Sequence, residues 1–130
     1  MTSNLIKFLT CIRNASLSKK SIVKTKNLKN FSLYIAILYK EGYIQSFFID
    51  KNLITGEETL IVYLRFLENK VMTNNLRLIS TLNRTKILSH LELAQSNLKH
   101  KLVVLSTSQG ILSHTTCLEK RLGGVGIFSC

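Results

Sequence analysis

The stretch that decides the fold lies near the C-terminus and begins Ser106-Thr107-Ser108-Gln109-Gly110. It continues as ILSHTTCLEKRLGG over residues 111–124. Three adjacent hydroxyl residues beside a glycine predict a polar turn. Serine and threonine bond their own backbone in turns, and glycine reaches positive φ without strain. The β-branched residues just before this turn predict a strand over residues 101–105.

The residues after the turn predict a short strand, a helix and a closing strand. Ile111-Leu112 supplies the first strand, and Ser113 can cap a helix that runs to Arg121. Gly123-Gly124 breaks that helix, and residues 125–128 predict the last strand. This half of the chain is therefore predicted to form a small, mostly antiparallel sheet with a short helix.

Upstream of these strands the pattern is less regular. A polar break at residues 68–70 precedes an apolar stretch that predicts a strand over residues 71–79. A polar turn follows at 81–85, then a short strand at 86–88 and a helical turn within 91–98.

The first half of the chain predicts an α-β-α-β-β order. Its elements are a helix around residues 5–12, a strand at 22–23, a helix over 31–38, and strands over 43–49 and 59–67. We therefore predict an α+β protein of two lobes, residues 1–67 and residues 68–130. Aromatic residues of this half (Tyr34, Tyr43, Phe47 and Phe48) are expected in its core.

Composition limits the class of protein. The chain has 130 residues, 45% of them apolar, which excludes a disordered tail. Lys and Arg number 18 against 7 acidic residues, a net charge of +11. Such a charge indicates a polyanionic partner. No apolar run approaches the roughly 20 residues of a membrane span.

The reactive residue types form no catalytic or metal-binding pattern. Cys11, Cys117 and Cys130 are too scattered for a disulfide framework. His114 and Cys117 share an H-x-x-C spacing, but zinc needs four ligands and no second pair is near. We expect no enzyme activity, no metal, no cofactor and no small-molecule substrate.

The hydroxyl stretch has two interpretations. Each hydroxyl both donates and accepts, so the three suit a surface that bonds phosphates, ribose 2′-hydroxyls and base edges. Alternatively, they are ordinary turn residues.

Residues 106–124 resemble the C-terminal signature of the ribosomal protein S8 family, which reads S-T-S-x-G, two apolar residues, Ser or Thr, and a helix ending in G-G. Leu9-Thr10-Cys11-Ile12-Arg13-Asn14 resembles the L-T-x-I-R-N of the family's first helix. Lys40-Glu41-Gly42-Tyr43-Ile44 resembles its K-E-G-F/Y-I. Residues 80–93 lie where the family has S-x-P-G-x-R-x-Y and a following E-L. The resemblance covers nearly the whole chain.

The resemblance implies a structural constituent of the small ribosomal subunit. Such a protein binds rRNA early, fixes the central domain of that RNA during assembly, supports translation, and contacts neighbouring ribosomal proteins. The residues expected at the RNA are Ser106, Thr107, Ser108, Gln109, Gly110, Arg84, Thr85, Lys86, Arg13, Asn14, Lys29, Gly123 and Gly124.

Departures from the family pattern concern the RNA site. Leu82 and Asn83 replace the family's turn proline and glycine, and Thr85 its arginine. Ile87 replaces a tyrosine able to stack on a base, and Val125 a usual glutamate.

The sequence also carries a signal about its genome. It has no proline and no tryptophan, while Ile, Lys and Asn, which have AT-rich codons, are abundant. The family's first helix begins almost at this chain's start, which leaves no room for a cleaved presequence. We therefore expect a mitochondrial ribosome and an organelle gene, ahead of a plastid or a bacterial cytoplasm.

Two other functions stay open. The basic, amphipathic first helix is also typical of a peripheral membrane protein, although we expect no membrane partner. A general single-strand binder is disfavoured, because the aromatic residues are expected in the core rather than on a stacking platform.

Overall fold

A computed structural model describes residues 3–27, 31–98 and 101–130. The chain divides into two compact units. The N-terminal unit is Lys7–Asn75, and the C-terminal unit is Leu76–Cys130 joined by the first residues up to Ile6. The lobe boundary between residues 67 and 68 stays a prediction.

The N-terminal part has the predicted α-β-α-β-β order. Its elements are α1 (Ser3–Leu17), β1 (Ile22–Lys26), α2 (Phe31–Lys40), β2 (Ile44–Lys51) and β3 (Glu58–Leu64). Strand β3 lies between β1 and β2 and is antiparallel to both. Its alternate residues Leu60, Val62 and Leu64 are almost fully buried, as the alternation of side chains along a strand requires.

The apolar stripe of α1 lies in the core of this unit. Leu9 and Ile12 are fully buried. The rings of Phe8 and Phe31 stack with centroids 4.4 Å apart. The expectation that Phe48 is a core residue is wrong. Phe48 lies on the outer face of the sheet, 47% exposed, against Tyr63.

Two predicted strands are wrong in extent. The strand predicted over 59–67 stops at Leu64, and a hairpin of β4 (Phe66–Leu67) and β5 (Lys70–Val71) follows. Glu68 and Asn69 close that hairpin with φ of 51° and 63°. The two-residue loop needs left-handed residues, which asparagine tolerates better than most.

The strand predicted over 71–79 is also interrupted. A 3₁₀ turn occupies Met72–Asn75, and only β6 (Arg77–Leu78) is extended after it. Thr73 is fully buried there, and its hydroxyl shares a short hydrogen bond with the buried hydroxyl of Ser16. Ser16 Oγ also donates to the carbonyl of Ile12 at 2.9 Å, so it is the buried hydroxyl of Thr73 that gains its partner from this contact.

The C-terminal unit is an antiparallel sheet covered by two short helices. Its elements are β6, β7 (Ile87–Leu88), α3 (His90–Gln95), β8 (Val103–Thr107), β9 (Gly110–Ser113), α4 (His114–Glu119) and β10 (Gly124–Ser129). The strand order is β6-β10-β8-β9, with β7 also on β10. Val103 and Leu105 pack with Leu93 and Cys117 in the core beneath the helices. The mixed α+β class is confirmed.

The predicted helix after Ser113 is shorter than expected. It ends at Glu119 rather than Arg121, and Arg121 turns the chain with a φ of 55°. Ser113 occupies the N-cap position without a side-chain cap bond. Its hydroxyl instead lies 3.0 Å from that of Thr115 and 3.2 Å from that of Thr116.

Neither a membrane span nor a metal cluster occurs in the described part of the chain. No helix there is long and apolar enough to cross a bilayer, and no three potential ligands converge on one point. His114 Nδ1 instead accepts a hydrogen bond from the backbone N–H of Val103 at 3.2 Å.

The burial of two of the three cysteines can be tested directly by thiol reactivity. Cys11 is exposed, whereas Cys117 and Cys130 are buried and free. Burial raises the pKa of Cys130 to about 12 and also raises the pKa of Cys117. The reactive form is the thiolate, so at pH 8 both stay protonated and shielded. We expect a thiol reagent to modify one cysteine quickly in the folded protein and three in denaturant.

A Cys11→Ser variant is the control for this measurement. It is expected to show no fast thiol while native. Any fast-reacting thiol in that variant would mean that the C-terminal core is open.

Candidate nucleic-acid interface

The hydroxyl stretch forms the tip of the β8–β9 hairpin. Thr107 pairs with Gly110 across the strands, so the connecting turn contains only Ser108 and Gln109. The predicted turn over all five residues is therefore wrong in extent, because Ser106 and Thr107 continue β8. Gly110 has a φ of 108°, and no atom lies within 4 Å of where its Cβ would be. The tip needs glycine for its conformation, and it leaves open space beside the backbone.

One of the three hydroxyls belongs to the turn itself. Thr107 Oγ1 donates to the carbonyl of Gly110 at 2.8 Å and accepts from the N–H of Gln109 at 3.2 Å. Ser106 follows Leu105, whose side chain enters the core, so Ser106 points to the opposite face of the sheet. Ser106 and Ser108 are exposed, and neither hydroxyl has a hydrogen-bond partner among residues 3–27, 31–98 and 101–130.

A lysine that the sequence analysis did not select also reaches this tip. Lys120 Nζ donates to Gln109 Oε1 at 3.3 Å. The two residues are eleven apart, and no local pattern links a helix end to a hairpin turn. The contact places a cation at the hairpin tip, on the residue that follows Ser108.

The glycine pair packs strand β10 closely against its neighbours. A Cβ on Gly124 would lie 2.3 Å from the carbonyl oxygen of Ser106. One on Gly123 would lie 2.7 Å from the carbonyl oxygen of Leu88. Neither position therefore accepts a side chain without displacing backbone. The pair acts through packing, and it sets how near the hairpin and β7 lie to β10.

The basic segment before β7 is fixed to the same strand. Arg84, Thr85 and Lys86 are all exposed. The carbonyl of Arg84 accepts from the N–H of Thr81 at 2.8 Å, which closes the predicted turn. Lys86 accepts from the N–H of Gly126 at 2.9 Å and donates its own N–H to Ser80 Oγ at 3.0 Å. The backbone of Lys86 is thus held while its side chain is free to reach a ligand.

A single row of residues connects these parts across four strands. Val125 pairs with Ile87 on one side and with Ser106 on the other, and Ser106 pairs with Ile111. At the usual strand spacing this row spans about 14 Å. One end of the C-terminal sheet therefore brings together the basic segment 84–86, the glycine pair and the hydroxyl hairpin.

The remaining predicted site residues lie elsewhere. Arg13 and Asn14 are exposed on α1, within the N-terminal unit. Lys29 lies outside the described residues.

Comparisons with known proteins agree with this architecture. The family model described as Ribosomal protein S8 matches residues 4–129. A small ribosomal subunit protein uS8 of Ruthia magnifica is 30% identical, with 95% of this chain and 93% of that protein covered. One from Borreliella afzelii is 31% identical with the same coverage, and one from Opitutus terrae is 29% identical over 95% of each chain.

The match is to structural, non-enzymatic components of the small ribosomal subunit. The chain belongs to the ribosomal protein S8 family. This family binds small-subunit rRNA and other ribosomal proteins.

The tight packing at Gly124 predicts a large effect of one methyl group. Gly124→Ala places a carbon against the Ser106 carbonyl, and we expect a loss of about 3 kcal/mol in the free energy of unfolding, the upper range for overpacking. The control is Gly56→Ala. Gly56 has a φ of 73° with open space around it, so its loss should be about 1 kcal/mol from backbone strain alone. Urea unfolding measures both, and equal losses would contradict the packing role of Gly124.

Proposed function

We propose that this chain is a primary rRNA-binding protein that fixes the shape of the central domain of small-subunit rRNA during assembly, and so supports translation. The observation that carries the proposal is the shared end of the C-terminal sheet. There, free hydroxyls, cations and approachable backbone lie at the same end of four adjacent strands.

Charge supplies the general attraction. Within the described residues, the one salt bridge joins the exposed Lys26 and Glu57 at 4.0 Å, far along the chain from the hairpin. Arg84, Lys86 and Lys120 are exposed and have no acidic partner in that set. Such cations release condensed counterions when they contact phosphates, which favours binding without reading sequence.

Hydroxyls and glycine supply the selectivity for shape. Ser106 and Ser108 can each donate to a phosphate or base edge and accept from a 2′-hydroxyl. Gly110 carries no side chain, so an RNA backbone can approach the chain closely. A-form RNA shows its 2′-hydroxyls in a shallow minor groove, and irregular helices widen and distort it. The hairpin tip fits this kind of surface better than a flat basic patch would.

The two competing functions find no support on α1 and at the hairpin. A peripheral membrane helix needs an exposed apolar face, yet Leu5, Phe8, Leu9 and Ile12 of α1 are at most 6% exposed. A general single-strand binder needs aromatic side chains on which bases can stack. Residues 101–124, which include the hairpin, contain no Phe, Tyr or Trp. Our proposal therefore includes rRNA and neighbouring ribosomal proteins as partners, with no membrane.

We further propose that the ribosome concerned is mitochondrial and the gene organellar. The support is compositional: no proline, no tryptophan, and abundant residues with AT-rich codons. Mass spectrometry of purified mitochondrial, plastid and cytosolic ribosomes would locate the chain, and its absence from the mitochondrial small subunit would refute this part.

Salt dependence tests the electrostatic half of the proposal. If about 6 phosphates are neutralised, log K against log salt for a central-domain rRNA fragment should have a slope between about −4 and −5.5. Filter binding at several salt concentrations measures it. A slope near zero would exclude the electrostatic mechanism.

Two neighbouring hydroxyls should separate binding from stability. Ser108→Ala removes a free hydroxyl, so we expect affinity for the cognate fragment to fall by roughly 1 kcal/mol with an unchanged melting temperature. Thr107→Val removes the two hydrogen bonds of the turn and should lower the melting temperature instead. Filter binding and thermal unfolding of both variants provide the comparison. Unchanged RNA affinity in the Ser108 variant would mean that this residue only shapes the turn.

A further inference from the structure

A basic and aromatic cleft opens in the N-terminal unit, where the motif Lys40-Glu41-Gly42-Tyr43-Ile44 joins α2 to β2. Its volume is about 700 Å³, within the range of small-ligand sites. Among its lining residues are Tyr39, Lys40, Gly42, Gln45, Arg65 and Phe66. The lining includes two cations and two aromatic rings, and no carboxylate.

The guanidinium of Arg65 is held in place by the glycine of that motif. Arg65 Nη1 donates to the carbonyl of Gly42 at 3.1 Å. A Cβ on Gly42 would lie 3.3 Å from the same nitrogen, and Gly42 has a φ of 83°. The backbone of Arg65 is anchored too, because its carbonyl accepts from the N–H of Met72 at 2.9 Å. One donor is used here, and four of the five remain for a ligand.

The two rings of the cleft are exposed. Tyr39 is 52% exposed, and its ring meets Phe47 edge-on with centroids 5.9 Å apart. Phe66 is 41% exposed and belongs to the β4–β5 hairpin, paired with Val71. Two large rings exposed at one cleft, rather than scattered singly, indicate a binding surface. The edge-on contact restrains the Tyr39 ring, which lowers the entropy that would be lost when a ligand orders it.

We propose that this cleft binds an unpaired nucleotide of a single-stranded RNA segment. The base lies against an exposed ring, the phosphates bind Lys40 and Arg65, and the Gln45 amide can contact a base edge. Flat rings and a planar guanidinium suit the π-face that every base has. The inference rests on the proposed function for the source of its RNA, and it adds a site in the other unit.

An RNA ligand fits this cleft better than an acidic protein segment does. Protein interfaces depend on an anchor side chain in a dry apolar pocket. Here the apolar lining residue Ile44 is only 2% exposed, so little of it is available to such an anchor. The available surfaces are rings and cations, which match bases and phosphates.

The direct test uses a fluorescent oligoadenylate of five nucleotides and anisotropy titrations with the full chain. Tyr39→Ala, Phe66→Ala and Arg65→Gln should each weaken binding roughly tenfold, within the range known for loss of one stacked base. The matched controls are Phe48→Ala and Lys51→Gln, which remove an exposed ring and an exposed cation from the same unit but outside the cleft. Their affinities should change less than about twofold.

Ring-preserving variants guard against a trivial loss of fold. Tyr39→Phe and Phe66→Tyr keep the stacking surface and should bind the oligonucleotide like the wild type. If Phe66→Ala does not fold, the Tyr39 and Arg65 variants still decide the question, since Tyr39 is half exposed and Arg65 is an exposed side chain.

The outcomes are distinguishable from those of the proposed function. Unchanged oligonucleotide affinity in all three cleft variants would overturn the inference. So would a peptide of alternating Glu and Phe that binds in place of the RNA and is lost in the same variants. Ser108→Ala should weaken the cognate rRNA fragment and leave the oligoadenylate unaffected. If Ser108→Ala weakens rRNA binding while the cleft variants leave the oligoadenylate affinity unchanged, only the inference about the cleft fails. If the cleft variants weaken oligoadenylate binding while Ser108→Ala leaves the rRNA affinity unchanged, the role of the hairpin is refuted and the inference about the cleft stands.

Discussion

The approach of Gly124 to the carbonyl of Ser106 is the constraint on which the C-terminal unit depends. A methyl carbon at residue 124 would lie 2.3 Å from that oxygen, so the strand can occupy its position only without a side chain. Because β10 pairs with β8 on one edge and with β6 and β7 on the other, its position fixes the distance between hairpin and basic segment. The parts of the candidate RNA site are therefore arranged by a packing requirement rather than by contacts among themselves.

The order of elements could be predicted because it depends on local patterns. The apolar stripes of α1 and α2 and the β-branched content of β3 and β8 are visible within a few residues of chain. The boundaries depend on distant partners. The hydroxyls of Ser16 and Thr73 meet across 57 residues, and no local pattern indicates that the turn at residues 72–75 gives the buried Thr73 this partner. Two-residue strands such as β4 and β5 are too short to show a period at all.

The residue types of the candidate site could be predicted from the sequence, but the role of each residue could not. Residues 106–110 carry the family signature, yet the sequence does not reveal that Thr107 is committed to the turn while Ser106 and Ser108 stay free. That difference follows from the register, which gives Thr107 the position opposite Gly110. The sequence does not indicate that Lys120 belongs to the candidate site, for a similar reason. Its contact with Gln109 forms only when the helix and the hairpin pack together. Phe48 is exposed although its aromatic ring predicts burial, because aromatic content alone does not tell which face of a sheet is covered.

Two of the departures from the family pattern, Ile87 and Val125, are neighbours in the candidate RNA site. Ile87 and Val125 are directly paired, and Val125 is also paired with Ser106. Residues paired across antiparallel strands project to the same face, so a tyrosine and a glutamate of the family pattern are replaced together beside one hydroxyl. Losing the ring removes a stacking surface, and losing the carboxylate removes a charge that repels phosphate. In the proposed RNA complex, the first change would weaken binding and the second would strengthen it at the same point. Since Ile87 is 71% exposed, covering its apolar surface in that complex would also favour binding. Under the proposed function, the pair would shift recognition at this position from stacking toward charge and shape, with the free hydroxyl of Ser106 as the polar group of that row available for directional bonding.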